Sequence, residues 1–371
     1  MQGKNDMNKF VYMDAGASWL KPLSVIESEA DFLRNSYANA GRGICARAGR
    51  VDSLIDEVRG AVANFINADK ESVIWTSGTT DAFNRIVNIL KNTFDGKNLT
   101  VAVSDLDHHS ARLPFEMWVK TVVMPLDDNF NIDVNSIPFA DVYVITAMSN
   151  VMGIAQDVVQ IIKTIRAKNS KAITVVDAAQ FVAHNKIDVK KFDCDFLCFS
   201  GHKIGADTGI GVMYIKNPDD WAVDKFGGGM VNRIIDSDNI ILNKAPEKFE
   251  AGTLPITQII GLKTAIEYVS NWNGSHDIIN YMYDELSKIE HIKIFTSPDS
   301  CMISFYLDNM HVIDFGAMLG AHDICVRVGN MCASWIHKKL NIDGSVRISV
   351  GPWNTMDDAK YVIDVIKNLV K

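Results

Sequence analysis

The stretch FLCFSGHKIGADTGIGVMYI, residues 196–215, constrains the fold more than any other part of the chain. An apolar run of strand-like length ends in Ser200-Gly201-His202-Lys203. A glycine-marked turn follows, and a second apolar run closes the unit. Two short apolar runs around such a turn read as buried strands, and they leave a single lysine at the mouth of a buried β-unit. A lysine in that position is ordinarily a solvated cap. Held partly desolvated, it loses its proton more readily, because burial disfavours the ammonium form, and a neutral amine forms Schiff bases with aldehydes.

The chain ahead of this unit alternates strands and helices. Residues 10–14 are extended, Gly41-Arg42-Gly43 marks a polar loop, and 52–67 read as an amphipathic helix with Leu54, Val58, Ala61, Val62, Phe65 and Ile66 on one face. A strand at 72–76 runs through Ser77-Gly78-Thr79-Thr80 into a helix over 81–90. Free N–H groups and the helix dipole favour an anion there, with Thr79 and Thr80 as further donors; simple N-capping accounts for the same residues. Strands follow at 99–103, 121–124, 142–147 and 172–176. Asp107-His108-His109 lies in a loop ahead of a helical stretch, and a helix spans 155–168. Strands separated by helices imply a mostly parallel sheet covered on both faces, with chemistry beyond the carboxyl ends of its strands. Asn150, Asp177, Gln180, His202 and Lys203 all follow apolar runs at that end.

From about residue 270 the texture changes. Candidate strands at 292–296, 302–307, 324–328 and 345–350 mix with helices at 312–321 and 355–370, which reads as a smaller α+β domain. The division expected is a large domain over 13–270 and a small domain over 271–371, joined by 1–12. Cys332 lies between a strand and a helix, and Arg347 lies within a strand.

Composition narrows the partners. A net charge of -8 without a basic cluster argues against nucleic acid. No apolar run reaches membrane-spanning length, and MQGKNDMNKF lacks an apolar signal core, so a cytoplasmic protein is expected. The six cysteines are scattered without paired CxxC spacing, as expected of reduced thiols and not of disulfides or zinc. Cys194 and Cys198 read as core.

One cofactor uses the collected residues together. Pyridoxal 5'-phosphate (PLP) needs a lysine, for which Lys203 is the candidate, and a carboxylate beside the pyridine nitrogen, which Asp177 suits. His108 is available to stack on the ring, and Thr79, Thr80, Ser200 and His202 to hold the phosphate. An amino-acid substrate needs a guanidinium for its carboxylate, and Arg347 is the candidate. Cys332 has two readings: a nucleophile with a lowered pKa, or an inert thiol. His108 and His109 lack a visible third ligand, so no metal is expected.

With these residues in view, the sequence resembles the class V aminotransferase branch of fold-type I PLP enzymes, and within it the group II, or Suf-type, cysteine desulfurases and selenocysteine lyases. The resemblance runs from Tyr12 to the last helix. It rests on Ser77-Gly78-Thr79-Thr80-Asp81, Asp107-His108-His109-Ser110, Ser149-Asn150-Val151-Met152-Gly153, Asp177-Ala178-Ala179-Gln180, Ser200-Gly201-His202-Lys203, Phe249-Glu250-Ala251-Gly252-Thr253 and Arg327-Val328-Gly329-Asn330-Met331-Cys332-Ala333. It implies an α/β large domain with a mostly parallel seven-stranded sheet and a smaller α+β C-terminal domain. Lys203 is then the Schiff-base lysine and acid/base, Asp177 the partner of the pyridine nitrogen, Gln180 of the ring hydroxyl, and His108 the stacking residue. Thr80, Ser200 and His202 hold the phosphate, and Thr253 reaches the phosphate of a second subunit, which implies a homodimer. Asn150 lies near substrate and ring, Arg42 on the substrate side, and Arg347 binds the substrate carboxylate. Cys332 takes the sulfur of L-cysteine as a persulfide and alanine is released. The pathway implied is sulfur metabolism and iron–sulfur cluster assembly, with a sulfur-acceptor protein as partner.

The chain departs from the family pattern in three places bordering the substrate. Asn330 and Met331 stand where histidines usually precede the cysteine. Gly41 and Cys45 occupy two other histidine places, and Gly205-Ala206-Asp207-Thr208-Gly209 replaces a Tyr-Gly-Pro-Thr-Gly turn. The expectation is a PLP-dependent cysteine desulfurase. The alternatives are a selenocysteine lyase, an amino-acid epimerase or lyase that does not use Cys332, or a catalytically quiet binding subunit.

Overall fold

The computed structural model describes residues 10–41, 43–236 and 239–371. The described chain divides into two compact units. One comprises Leu20–Ala147 and Gln156–Asn271. The other comprises residues 10–19, Met148–Ala155 and Trp272–Lys371.

The larger unit is built on a seven-stranded sheet. Its strands are β1 (Val73–Thr76), β2 (Val101–Ser104), β3 (Thr121–Met124), β4 (Val142–Thr146), β5 (Ile173–Asp177), β6 (Phe196–Ser200) and β7 (Gly211–Ile215). The spatial order is β1-β7-β6-β5-β4-β2-β3. Six of these strands are near-continuous apolar runs, buried throughout, as strands with both faces covered must be. The edge strand β3 keeps three partly or fully exposed positions. β3, β2, β4, β5 and β6 pair in parallel, whereas β7 runs antiparallel to both β6 and β1. Two reversals bring β1 back to the direction of β6. The carboxyl ends of β1, β2, β4, β5 and β6 therefore share one edge of the sheet.

Helices α1 (Ala46–Ile66), α2 (Thr79–Thr93), α3 (His109–Glu116) and α4 (Val158–Lys168) belong to this unit. α1 starts six residues earlier than its sequence pattern suggests. Its buried stripe runs through Val51, Ile55, Val58, Val62 and Ile66, leaving Leu54, Ala61 and Phe65 at the margin. α2 buries Ala82, Phe83, Ile86, Val87 and Leu90, which pack with Val101, Val144, Val175, Phe196 and Met213 of the sheet in one core.

After the hairpin β8 (Val231–Ile234) and β9 (Ile240–Leu242), the second unit carries a four-stranded antiparallel sheet. Its strands are β10 (Ile292–Ile294), β11 (Met302–Leu307), β12 (Arg327–Gly329) and β13 (Ser345–Ser349), in the order β10-β11-β13-β12. Helices α5 (His276–Leu286), α6 (Val312–Gly320) and α8 (Met356–Leu369), with the short α7 (Ser334–Leu340) between the last two, complete it. Met282, Leu286, Phe315, Leu319, Val362 and Ile363 pack on Ile303, Phe305, Val346 and Ile348. The run at 324–328, read as one strand, is two. Ile324–Cys325 pairs in parallel with Val11–Tyr12, and only β12 joins the sheet, so the segment changes partner at Val326.

Candidate active site

The shared edge of the large sheet collects polar residues where the strands run out. At β1 the chain turns through Gly78, at φ 147°, into the first turn of α2. Only glycine suits this corner. A Cβ on Gly78 would lie 3.2 Å from Ser200 Oγ, and one on Gly211 would lie 2.6 Å from the Gly78 Cα. Ser200, at the end of β6, accepts a hydrogen bond from the Thr79 N–H, and its hydroxyl also pairs with Thr79 Oγ1, both at 2.8 Å. The Ser77 N–H donates to Asp81 Oδ2 at 2.9 Å. Thr79 and Ser200 are buried, while Thr80 is exposed on the same helix turn. Two hydroxyls locked at a helix N-terminus could hold an anion.

Asp177 ends β5 and is 4% exposed. Burial pushes its carboxyl up to about 6, while the Ala179 N–H, donating at 2.9 Å, and the charge of Lys203 pull the other way. The charge of Lys203 is thus felt at the buried carboxylate. Lys203 closes the single turn Gly201–Lys203 directly after β6 and is partly buried. That turn is tied by the Ile204 and Ala206 N–H groups, which both donate to the Gly201 carbonyl. Lys21 Nζ donates to the Ala206 carbonyl. His202 is held down at about 4 by burial, then by the charges of Lys203 and Lys21, so it is a neutral ring at physiological pH. Gln180, also buried, precedes the one-turn helix Phe181–His184.

His108 caps α3. Its Nδ1 accepts from the Ser110 N–H at 3.2 Å and lies 2.7 Å from Ser110 Oγ, which pins the ring. Beneath it lies a residue that the sequence reading named only within a motif. Asp107 is wholly buried and accepts hydrogen bonds from the Ser104 N–H and Oγ and from Thr146 Oγ1, at 2.7–2.9 Å. Burial raises its carboxyl to about 6. Its sequence signal was its place before His108, at the end of an apolar run.

Thr253 is exposed and lines a separate cavity of about 760 Å³, whose walls include Asn39, Asp52, Arg59 and Glu250 but not Asp177 or Lys203. Arg42 lies outside the described residues.

The remaining candidates belong to the C-terminal unit. Arg347, on β13, is 2% exposed. Its Nη1 donates to the Asn150 carbonyl at 2.8 Å and its Nη2 to Asp14 Oδ1 at 3.1 Å, while the buried Nε has no partner among the described residues. Asn150 Nδ2 donates to the Met331 carbonyl at 2.8 Å, and its buried Oδ1 has no partner among the described residues. Cys332 follows in an exposed turn, where Gly329, Met331 and Cys332 take φ of 92°, 49° and 53°. Asn150, Arg347 and the cysteine turn are therefore assembled within one unit.

Among the described residues no group of three or more His, Cys, Asp or Glu is placed to hold a metal ion, and no helix is long and apolar enough to cross a membrane. The donor set suits PLP: an anion site at a helix N-terminus, a lysine, and a buried carboxylate that feels the charge of that lysine.

An open, mostly parallel sheet with a lysine at its carboxyl edge is the architecture of fold-type I PLP enzymes, and the large unit has it. More narrowly, residues 11–362 match the aminotransferase class-V model, and the chain belongs to that family. It is 30% identical to a cysteine desulfurase of Escherichia coli O127:H6, over 96% of this chain and 93% of that one. It is 32% identical to a cysteine desulfurase of Escherichia fergusonii, with the same coverage. The apo structure of a cysteine desulfurase from Thermococcus onnurineus NA1 superposes with a TM-score of 0.91 at 30% identity, covering 98% of this chain and 95% of that one. The cysteine desulfurase CsdA from Escherichia coli superposes with a TM-score of 0.88 at 29% identity, covering 97% and 94%.

Proposed function

We propose that the chain is a PLP-dependent cysteine desulfurase of the group II type, converting L-cysteine to L-alanine and receiving the sulfur on Cys332. The observation that carries this reading is the pair of assemblies just described. One unit presents a lysine whose charge is felt at a buried carboxylate, and an anion site. The other presents an exposed thiol on a turn that Asn150 ties to a buried arginine.

In this reading Lys203 would hold PLP, Asp177 would pair with its pyridine nitrogen and Gln180 with its ring hydroxyl. His108 stacks on the ring, and Thr79, Thr80, Ser200 and His202 bind the phosphate. PLP supplies the electron sink that makes chemistry at the substrate Cα accessible. At neutral pH Asp177, titrating at about 6, is ionised and can hold a proton on the ring nitrogen. The neutral His202 ring can donate to a phosphate without adding charge. Arg347 takes the substrate carboxylate, for which a bidentate guanidinium is suited, and Asn150 and Arg42 are the further substrate-binding residues of this reading. Lys203 moves the Cα proton. The Cys332 thiolate attacks the substrate sulfur. The carbon–sulfur bond breaks, a sulfur–sulfur bond forms, and the carbon skeleton leaves as alanine after gaining a proton.

The same reading includes a homodimer in the cytoplasm, a large domain over 13–270 with a small one over 271–371 and 1–12, and a sulfur-acceptor protein. Exposed Ile234, Ile235, Ile240 and Ile241 on the β8–β9 hairpin support a second copy covering the hairpin. The exposed position of Thr253 fits a contact to that copy's phosphate.

The test is to incubate the PLP-loaded protein with L-cysteine and a reductant and to measure alanine and sulfide together. Equal amounts are expected. A yellow protein that forms neither product would overturn the substrate assignment.

A further inference from the structure

The antiparallel pairing of β12 with β13 sets Arg327 directly opposite Arg347. Like charges at opposed positions of a sheet repel, so something must hold this pair. Asp14 does so with one carboxylate. Its Oδ1 takes Arg347 Nη2 at 3.1 Å and its Oδ2 takes Arg327 Nη2 at 2.5 Å. Asp14 is itself firmly placed. It bridges to Ser349 at the end of β13, and its carbonyl accepts from the Ala17 and Ser18 N–H groups. Gly16 lies flat on the guanidinium, since a Cβ there would fall 2.8 Å from Arg347 Cζ.

The consequences reach the thiol. β12 is a three-residue edge strand whose only sheet partner among the described residues is β13, and it leads directly into the Cys332 turn. Its polar side-chain anchor is the Arg327–Asp14 pair, beside the apolar packing of Val328 on the core, and Asn150 Nδ2 on the Met331 carbonyl holds the turn. One carboxylate serves two guanidiniums, so one positive charge is left over beside a buried Nε without a partner among the described residues.

We propose that Asp14 is a positioning residue: by holding Arg327 and Arg347 on one carboxylate, it joins the thiol-bearing strand to the carboxylate-binding guanidinium and leaves that guanidinium a single net charge for the substrate. This rests on the desulfurase reading given above for Arg347 and Cys332. Removing the Asp14 charge takes from Arg347 the partner that orients it. Removing Arg327 instead lets Asp14 neutralise Arg347 alone. Either change weakens recognition of a substrate carboxylate and releases β12.

The test compares the holoenzyme with Asp14→Asn, Arg327→Ala and the double variant. Two quantities are measured: KM and kcat for alanine formation from L-cysteine, and amide hydrogen exchange without substrate in the peptide covering residues 326–334. Each single variant is expected to raise KM roughly tenfold, the scale of one charge-assisted hydrogen bond, with kcat held within about threefold. Exchange in the peptide should quicken in both. The double variant should do no more than the larger single, because both changes delete one link. Wild-type KM and exchange in the singles, KM effects that multiply in the double, or faster exchange with unchanged KM would each overturn the proposal. Should Asp14→Asn fail to fold, Arg327→Ala, whose side chain is 47% exposed, carries both readouts. A wild-type protein that forms no alanine from cysteine overturns the function reading instead, and the exchange arm then decides the linkage by itself.

Discussion

Lys203 and Cys332 are the two side chains to which the proposed function assigns covalent chemistry, and they are mounted on different kinds of backbone. Lys203 follows β6, an interior strand buried at every position, and its turn closes through paired hydrogen bonds to the Gly201 carbonyl. Around it the polar groups are buried and partnered: Ser200 with Thr79, Asp177 with the Ala179 N–H, Asp107 with Ser104 and Thr146. Cys332 follows β12, an edge strand, through a turn in which two successive non-glycine residues take positive φ. Each such residue costs roughly 1–2 kcal/mol against ordinary backbone. Long-range hydrogen bonds, donated by Asn150 to the Met331 carbonyl and accepted by Asp14 from Arg327, offset that cost. The difference suits the two tasks. A cofactor site benefits from fixed dipoles that need no reorganisation, whereas a thiol that accepts sulfur and passes it on must be reachable from outside.

If the division holds, changes at the sheet edge abolish cofactor chemistry, and changes at the turn leave the cofactor in place. The largest effect is expected from Lys203→Ala. It should lose the visible absorbance of the bound cofactor in the holoprotein and reduce alanine formation by roughly 10²–10⁴-fold, the range of a deleted acid/base; a variant with near-normal turnover would break the comparison at its stronger side. Asp177→Asn comes next, at roughly 10–100-fold in kcat, as for a lost charge-assisted hydrogen bond. Its pH dependence sharpens the point. Because burial raises Asp177 to about 6, the group becomes neutral as pH falls through that value. PLP affinity of the wild-type apoprotein should therefore weaken below about pH 6, and the Asn variant should lack that acid limb; titrating PLP into both proteins across pH 5–8 checks it. Ser200→Ala is expected to be smaller, a loss of up to about tenfold in PLP affinity, because it removes neutral hydrogen bonds. Equilibrium dialysis reads this directly, and an unchanged affinity would remove Ser200 from the anion site.

The sheet was legible in the sequence for a physical reason. Strands covered on both faces must be apolar along their whole length, and runs such as 142–147 and 196–200 announce themselves. The residues at their ends could be collected from the sequence because parallel strands place every carboxyl end on one edge. The turn at Cys332 was not legible. Nothing in Asn330-Met331-Cys332 marks left-handed backbone, and its anchors Asn150 and Asp14 lie 181 residues before Met331 and 313 before Arg327. The split of 324–328 into two strands with different partners was hidden for the same reason, since Val11–Tyr12 supplies the first partner from the far end of the chain. Asp107 was visible only as part of a motif, because the Ser104 and Thr146 donors that take its carboxylate inside are brought to it by the fold.

The most direct measurement uses Cys332→Ala, purified with PLP and mixed with L-cysteine under reductant. The account predicts a protein that keeps the wild-type visible spectrum, shifts that spectrum when cysteine is added, and releases no sulfide or alanine above background. Wild-type sulfide release from this variant would contradict the assignment of the thiol, and a colourless variant would contradict the separation of the two regions.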